Sequence, residues 1–346
     1  MKIIINASDI HCGGGKIMLN DLLDAALQRK EINFFIFVDK RYDKTSYLAE
    51  NINFIEVSIR GRFSVDSRIK KLVEQSDIVL YIGDLPPFKR HNCQVTQLLM
   101  NRYFIDNFST GGMPLIDRIR LTIERLAFKI FLKNADQLVV QNLVMKDLLL
   151  KIGYSNDIIS VLPYKKIDIL IESDLKKEKN SFIYVASGEP HKNHKNLISA
   201  WIYLKNEGIN PLLFLTLDDN TELYNFIMDQ IKKYDLNIEI KSKLPREELL
   251  RYYQKVSALI YPSVFECFGL PLVEAGRFEL PVVASESDYI RDLLDPDETF
   301  DPESPRSIAR AVKRFLGYTE KRYNVISPDN FIGKLINNAK QIQKHQ

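Results

Sequence analysis

The sequence predicts an α/β protein of two doubly wound domains, each a parallel sheet between helices. Short apolar, β-branched runs alternate with longer stretches of helical period, the order that βαβ units produce. The length of 346 residues exceeds the roughly 250 to 300 at which a single hydrophobic core stops growing. A charged stretch at 165–180, with five lysines, four acids and no clear period, follows Pro163 and separates the two sets of runs. The expected division is an N-terminal domain over 1–165, a linker over 166–180, a C-terminal domain over 181–325 and a terminal segment over 326–346.

In chain order, the first strand is expected at 2–6, then a turn at 8–15 and a helix over 16–28. Strands at 33–38, 52–57, 78–82, 95–99 and 137–141 complete the first sheet. Runs at 182–186, 212–217, 238–240, 258–261 and 281–285 form the second. Trp201 falls on the helix after Lys195, at a core position. Phe331, Ile332, Leu335, Ile336, Ala339 and Ile342 then recur at helical spacing, predicting a terminal helix able to dock back on the first domain.

Composition narrows the function classes. At 45% hydrophobic and 27% charged, the chain lies far from the disordered and low-complexity regimes. Forty-eight Lys and Arg against 45 Asp and Glu leave +3, too slight an excess to point to nucleic acid. Cys12, Cys93 and Cys267 are widely spaced and odd in number, which suits a reducing compartment rather than a disulfide framework or zinc cluster. Asp9 interrupts the apolar start before an export signal could form, and no uncharged run approaches the roughly 20 residues of a membrane span. A cytoplasmic protein is expected.

Three segments could hold chemistry. Gly13-Gly14-Gly15 sits between the first strand and its helix, where backbone amides can approach an anion, or where a tight turn needs glycine. In the segment 258–275, Glu266 and Glu274 stand eight apart with Phe268, Gly269, Leu270 and Pro271 between them. Pro271 suits a first helical turn, so both carboxylates would face the crevice at a sheet's C-terminal edge. Two carboxylates there can grip hydroxyl groups. The third segment, 184–200, holds Gly188-Glu189-Pro190-His191-Lys192-Asn193-His194-Lys195-Asn196. Its two histidines have no third ligand nearby and read as a solvated loop pair.

The segment around Glu266 and Glu274 resembles the Glu-x7-Glu motif of glycosyltransferase family 4, the retaining, metal-independent transferases of GT-B fold. The resemblance implies two Rossmann-like domains facing a cleft, and transfer of a sugar from a nucleoside diphosphate donor. It implies that Glu274 binds the donor's ribose and Glu266 the transferred sugar, with Phe268, Gly269 and Leu270 assisting. Lys195 would meet the diphosphate, with Lys192 or His191 nearby, and Gly13 to Gly15 would face it across the cleft. Charge that builds on a departing diphosphate needs such cations and amides when no metal supplies them. Gly83-Asp84-Leu85-Pro86-Pro87 is similar to a motif of polysaccharide-forming members. The chain departs from the family in three places: no Arg follows Gly188, where Glu189 stands, Asn101 with Arg102 stands where relatives have a histidine, and Glu279 stands where relatives have Gly before the Pro281 strand. Asn101 is then the candidate polar positioner.

The resemblance implies no metal or other cofactor, and Asp295-Pro296-Asp297 follows a helical run and reads as a loop rather than a strand-end metal motif. The segment 113–133 combines an apolar stripe with five basic and two acidic residues. It is either a buried helix with a basic edge or a helix on an anionic membrane. The latter fits the acceptor the resemblance implies, a polyprenyl-diphosphate-linked or other glycan at the cytoplasmic face of the inner membrane, in O-antigen or capsule synthesis. Two other readings keep the same fold: a nucleotide-sugar 2-epimerase, and a catalytically silent nucleotide-binding subunit.

Overall fold

Parallel strands covered on both faces by helices need apolar residues on both sides, which is why these strands read as unbroken hydrophobic runs. The computed structural model describes residues 1–83, 86–106, 115–166, 175–242, 244–319 and 324–344. Its first sheet contains β1 (Lys2–Ala7), β2 (Asn33–Asp39), β3 (Ile52–Val57), β4 (Ile78–Gly83), β5 (Gln94–Leu99), β6 (Gln137–Val140) and β7 (Ile159–Val161). The second contains β8 (Ser181–Val185), β9 (Leu212–Thr216), β10 (Ile238–Ile240), β11 (Ala258–Tyr261), β12 (Val282–Ser285) and β13 (Glu298–Phe300). Every named pairing is parallel.

Strand orders are β3-β2-β1-β4-β5-β6-β7 and β10-β9-β8-β11-β12-β13. Both sheets therefore reverse direction beside their first strand, between β1 and β4 and between β8 and β11. Ligand crevices of open α/β sheets form at such points, beyond the strands' C-terminal ends.

The helices are α1 (Gly13–Leu27), α2 (Val65–Leu72), α3 (Leu115–Phe131), α4 (Leu143–Lys151), α5 (His194–Asn206), α6 (Glu222–Tyr234), α7 (Arg246–Lys255), α8 (Leu270–Arg277), α9 (Asp288–Arg291), α10 (Pro305–Phe315) and α11 (Pro328–Lys344). One core surrounds β8 and β11, with Trp201 of α5 buried in it and its indole N–H donating to Pro211 O at 2.9 Å. Two further clusters, one containing Ile4 and Phe37 and the other Ile5 and Ile36, divide the core of the first domain.

All the expected strands form, with ends shifted by at most one residue. Two unexpected ones, β7 and β13, are three-residue edge strands. An edge strand pairs on one side and needs little apolar surface, so Ile-Ser-Val and Glu-Thr-Phe give no run to detect. The first helix opens at Gly13 rather than Lys16, so the glycines form its first turn, and Gly13 has φ +65°. Lys165 of the chain leaving the first domain is ion-paired to Asp21 of α1 at 3.0 Å. Part of the expected linker, 167–174, lies outside the described residues, as do Asp84 and Leu85.

The terminal helix forms, but Phe331, Ile332, Leu335 and Ile336 remain 50–55% exposed. The side chains of Ala339 and Ile342 lie outside the described residues. On α3 the apolar stripe is likewise uncovered: Leu115, Ile116, Ile119, Ile123, Leu126 and Ile130 are 46–80% exposed. Leu121 and Phe128, on the opposite face, supply the packing. The buried-helix alternative therefore holds for that one face only. Residues 113 and 114 of the predicted segment lie outside the described residues.

Candidate active site

The C-terminal ends of the two sheets enclose a cleft of about 670 Å³, within the range of sites that take a small ligand. Residues from both domains line it. The loop after β11 crosses from one to the other: Cys267 Sγ lies 2.8 Å from the backbone N–H of Arg102, and Cys267 O accepts from Asn142 Nδ2 at 2.7 Å. Phe268 is buried in a first-domain cluster. Aromatic rings close the same seam, with Tyr103 edge-on to Phe265 and His191 stacked on Phe265. Tyr103 OH is 3.2 Å from His191 Nδ1. Burial pushes the Tyr103 phenol up to about 12 and the His191 ring down, so both are neutral at neutral pH.

Glu266 and Glu274 both line the cleft, and each has a cation of its own. Glu266 Oε1 accepts from Lys192 Nζ at 2.6 Å and from Tyr261 OH at 3.1 Å. Burial, reinforced by Glu266, holds the Tyr261 phenol well above its ordinary range, so it stays a donor. Glu274, only 5% exposed, accepts from Tyr253 OH at Oε2 (3.0 Å) and meets Arg246 Nη2 at Oε1 (2.6 Å). That ion pair is close but lacks hydrogen-bond alignment. Glu274 lies in the second turn of α8, as the position of Pro271 implied. Gly269 precedes α8 with φ +76°, and a Cβ there would approach Leu272 Cδ1 to 2.9 Å. Glycine is thus required for the chain to turn from Glu266 into the helix.

Across the cleft, Gly13, Gly14 and Gly15 bring the N-terminus of α1 to the lining. A Cβ on Gly14 would sit 3.4 Å from Leu270 Cδ1, so the glycine turn and the Leu270 end of α8 meet. Asn101 also lines the cleft, and its Oδ1 accepts from Tyr103 N at 3.0 Å. The two helix N-termini and the flanking cations make a setting for an anion. The two carboxylates make one for hydroxyl groups.

One predicted residue falls elsewhere. Lys195 is exposed on α5 with its ammonium 5.7 Å from the centre of the Phe226 ring, and does not line the cleft; Lys192 does. Asn193, at φ +64°, ends a short turn so that α5 starts at His194, which places Lys192 inward and Lys195 outward. Nor are the histidines a solvated pair: His191 is in the cleft seam, and His194 is buried with its ring beside Tyr184. Sequence reasoning missed Arg246, Tyr103 and Phe265. Arg246 belongs to no motif, though its place just beyond the C-terminal end of β10 was a signal that a strand-end search would have caught. Among the described residues no group of three or more His, Cys, Asp or Glu is arranged to hold a metal ion. No helix among them is long and apolar enough to cross a membrane.

Residues 166–327 match the sequence model of the family described as Glycosyl transferases group 1. The serotype-specific mannosyltransferase WbdA of Escherichia coli is 30% identical over 145 residues, 41% of this chain and 18% of WbdA. The O-antigen chain mannosyltransferase RfbU of Salmonella typhimurium is 25% identical over 197 residues, 55% of this chain and 53% of RfbU. The matched stretches thus span about half or less of these curated relatives. The crystal structure of Anabaena HepE in complex with UDP-glucose superimposes with a TM-score of 0.66 at 14% identity, covering 91% of this chain and 89% of HepE. The chain resembles the O-antigen-forming group 1 glycosyl transferases, and its two domains adopt the GT-B fold.

Proposed function

We propose that this chain, with its group 1 glycosyl transferase domain and GT-B fold, is a retaining glycosyltransferase. It moves a hexose from a GDP- or UDP-linked donor to a lipid-linked or polysaccharide acceptor in O-antigen or capsule synthesis. The observation that supports this most is the pair of cleft carboxylates, Glu266 and Glu274, each held by its own cation opposite the glycine turn. The mannosyltransferase relatives make nucleotide-linked mannose the first donor to test.

In this reading Glu274 accepts from the ribose and Glu266 orients the sugar. The diphosphate lies among Lys192, the Gly13 to Gly15 amides and the N-terminus of α8 around Gly269 and Leu270. Asn101 positions the acceptor. The anomeric C–O bond to the diphosphate breaks as the acceptor hydroxyl adds from the same face, and its proton passes to the departing phosphate oxygen. Lys192 and the amide dipoles stabilise the charge on that group, with no metal needed. Closure around the Tyr103–His191–Phe265 seam limits loss of donor to water.

The uncovered stripe of α3, flanked by Arg118, Arg120 and Lys129, would lie on an anionic bilayer at the cytoplasmic face. Each basic residue would contribute about 1 kcal/mol there. Ile116→Glu with Ile123→Glu should abolish sedimentation with anionic vesicles while leaving transfer to a soluble acceptor intact; unchanged sedimentation would remove α3 from this role.

Incubation with GDP- and UDP-sugars and a polyprenyl-diphosphate glycan tests the function. Donor-dependent growth of the glycan is expected. Epimerised free donor would make the protein an epimerase, and saturable binding without turnover a silent subunit; either contradicts the proposal.

A further inference from the structure

We infer that Arg246 is a positioning residue for donor binding: from the start of α7 it holds the Glu274 carboxylate in the orientation that receives the ribose hydroxyls. This deepens the proposed function and rests on its assignment of Glu274 to ribose. The starting point is that Glu274 is almost fully buried, and a buried carboxylate needs compensating charge and hydrogen bonds. Both come from α7. Tyr253, itself fully buried, donates to Oε2 at 3.0 Å, and Arg246 Nη2 meets Oε1 at 2.6 Å. With Tyr253 hydrogen-bonded to one oxygen and Arg246 ion-paired to the other, rotation of the carboxylate plane, a torsion otherwise broad for glutamate, is restrained. Although Oε1 is covered, the carboxylate as a whole lines the cleft and keeps acceptor capacity for a ligand, since it accepts at about four sites.

Arg246 differs from Tyr253 in reaching the cleft. Its side chain is 36% exposed and belongs to the lining, beside Leu244 and Leu249. A guanidinium can hold a carboxylate with one edge while its other edge faces solvent, which an ammonium does not reproduce in a fixed plane. The arrangement parallels Lys192 on Glu266.

The test is calorimetric binding of UDP and GDP, and of their 2′,3′-dideoxy forms, to wild type, Arg246→Met, Arg246→Lys and Tyr253→Phe. Thermal unfolding checks that each variant is folded. Wild type should prefer the ribose form of its nucleotide by about tenfold to a hundredfold. Arg246→Met should bind the dideoxy form as wild type does yet retain no more than about threefold preference for the ribose form. Arg246→Lys should recover part of the preference, and Tyr253→Phe should lose part of it through the other oxygen. Undiminished preference in Arg246→Met overturns the inference, and so does equal weakening of both forms, the mark of a merely structural role. If wild type itself shows no ribose preference, the ribose assignment of Glu274 falls and Arg246 with it. If wild type binds neither nucleotide, the proposed function fails as well.

Discussion

The two walls of the cleft are built differently. The second-domain wall is made of side chains, with Lys192 on Glu266, Arg246 and Tyr253 on Glu274, and Tyr261 beneath Glu266. The first-domain wall offers backbone at Gly13 to Gly15 and side chains without a carboxylate: Asn101, whose Oδ1 already caps the turn at Tyr103, then Tyr103, Gln141 and Arg102, which is ion-paired to Asp106 at 2.8 Å. Groups fixed before a ligand arrives need no reorganisation on binding, so the second wall suits one recurrent ligand, the donor. A wall of backbone amides and mostly neutral side chains suits the acceptor of the proposed reaction.

Substitutions can break this contrast. The largest effect is expected at Glu266→Gln, which keeps the shape but removes the charge that Lys192 and Tyr261 hold. Single-turnover transfer should slow about a thousandfold while donor affinity moves less than about threefold; equal losses in both would make Glu266 a binding residue only.

Next comes the scaffold of the second wall. His194, buried against Tyr184, has its pKa lowered from 6.5 to about 4 by burial. Between those values the unfolded chain takes up the proton and the folded one does not. Stability should therefore fall with pH from about 6.5 to about 4, by up to about 3 kcal/mol, and change no further from this source below that. Urea unfolding of wild type and His194→Phe across this window measures it; identical pH slopes would contradict it.

Glu274→Ala should weaken nucleotide binding by about tenfold to a hundredfold with the fold intact, and unchanged affinity would sink the ribose assignment. The smallest effect belongs to the first wall: Asn101→Ala should lower kcat by less than about tenfold with the donor KM unmoved. A larger loss at Asn101 than at Glu266 would reverse the contrast.

The same contrast governs what the sequence reveals. Continuous apolar runs such as Phe182-Ile183-Tyr184 mark strands buried on both faces, and the spacing of Glu266, Gly269, Pro271 and Glu274 encodes a turn into a helix. The cation register was not legible, because His-Lys-Asn occurs twice, at 191–193 and 194–196. Only the left-handed Asn193 decides that Lys192 turns inward and Lys195 outward. Arg246 was hidden because its importance comes from Glu274, 28 positions away in the chain, through a contact that only the tertiary structure creates. On the first wall, backbone amides and the Tyr103–Phe265 seam leave no signature of residue type. The exposed faces of α3 and α11 show the limit from the other side, since amphipathic spacing identifies an apolar face without identifying what covers it.

In the proposed function, side chains of the second wall hold a nucleotide-linked sugar for transfer with retention. The most direct test is NMR of the glycan formed from an α-linked donor in excess chelator, comparing wild type with Glu266→Gln. A new α linkage is expected from wild type at an undiminished rate, and almost none from the variant. A β-linked product, or one that needs added metal, would contradict it.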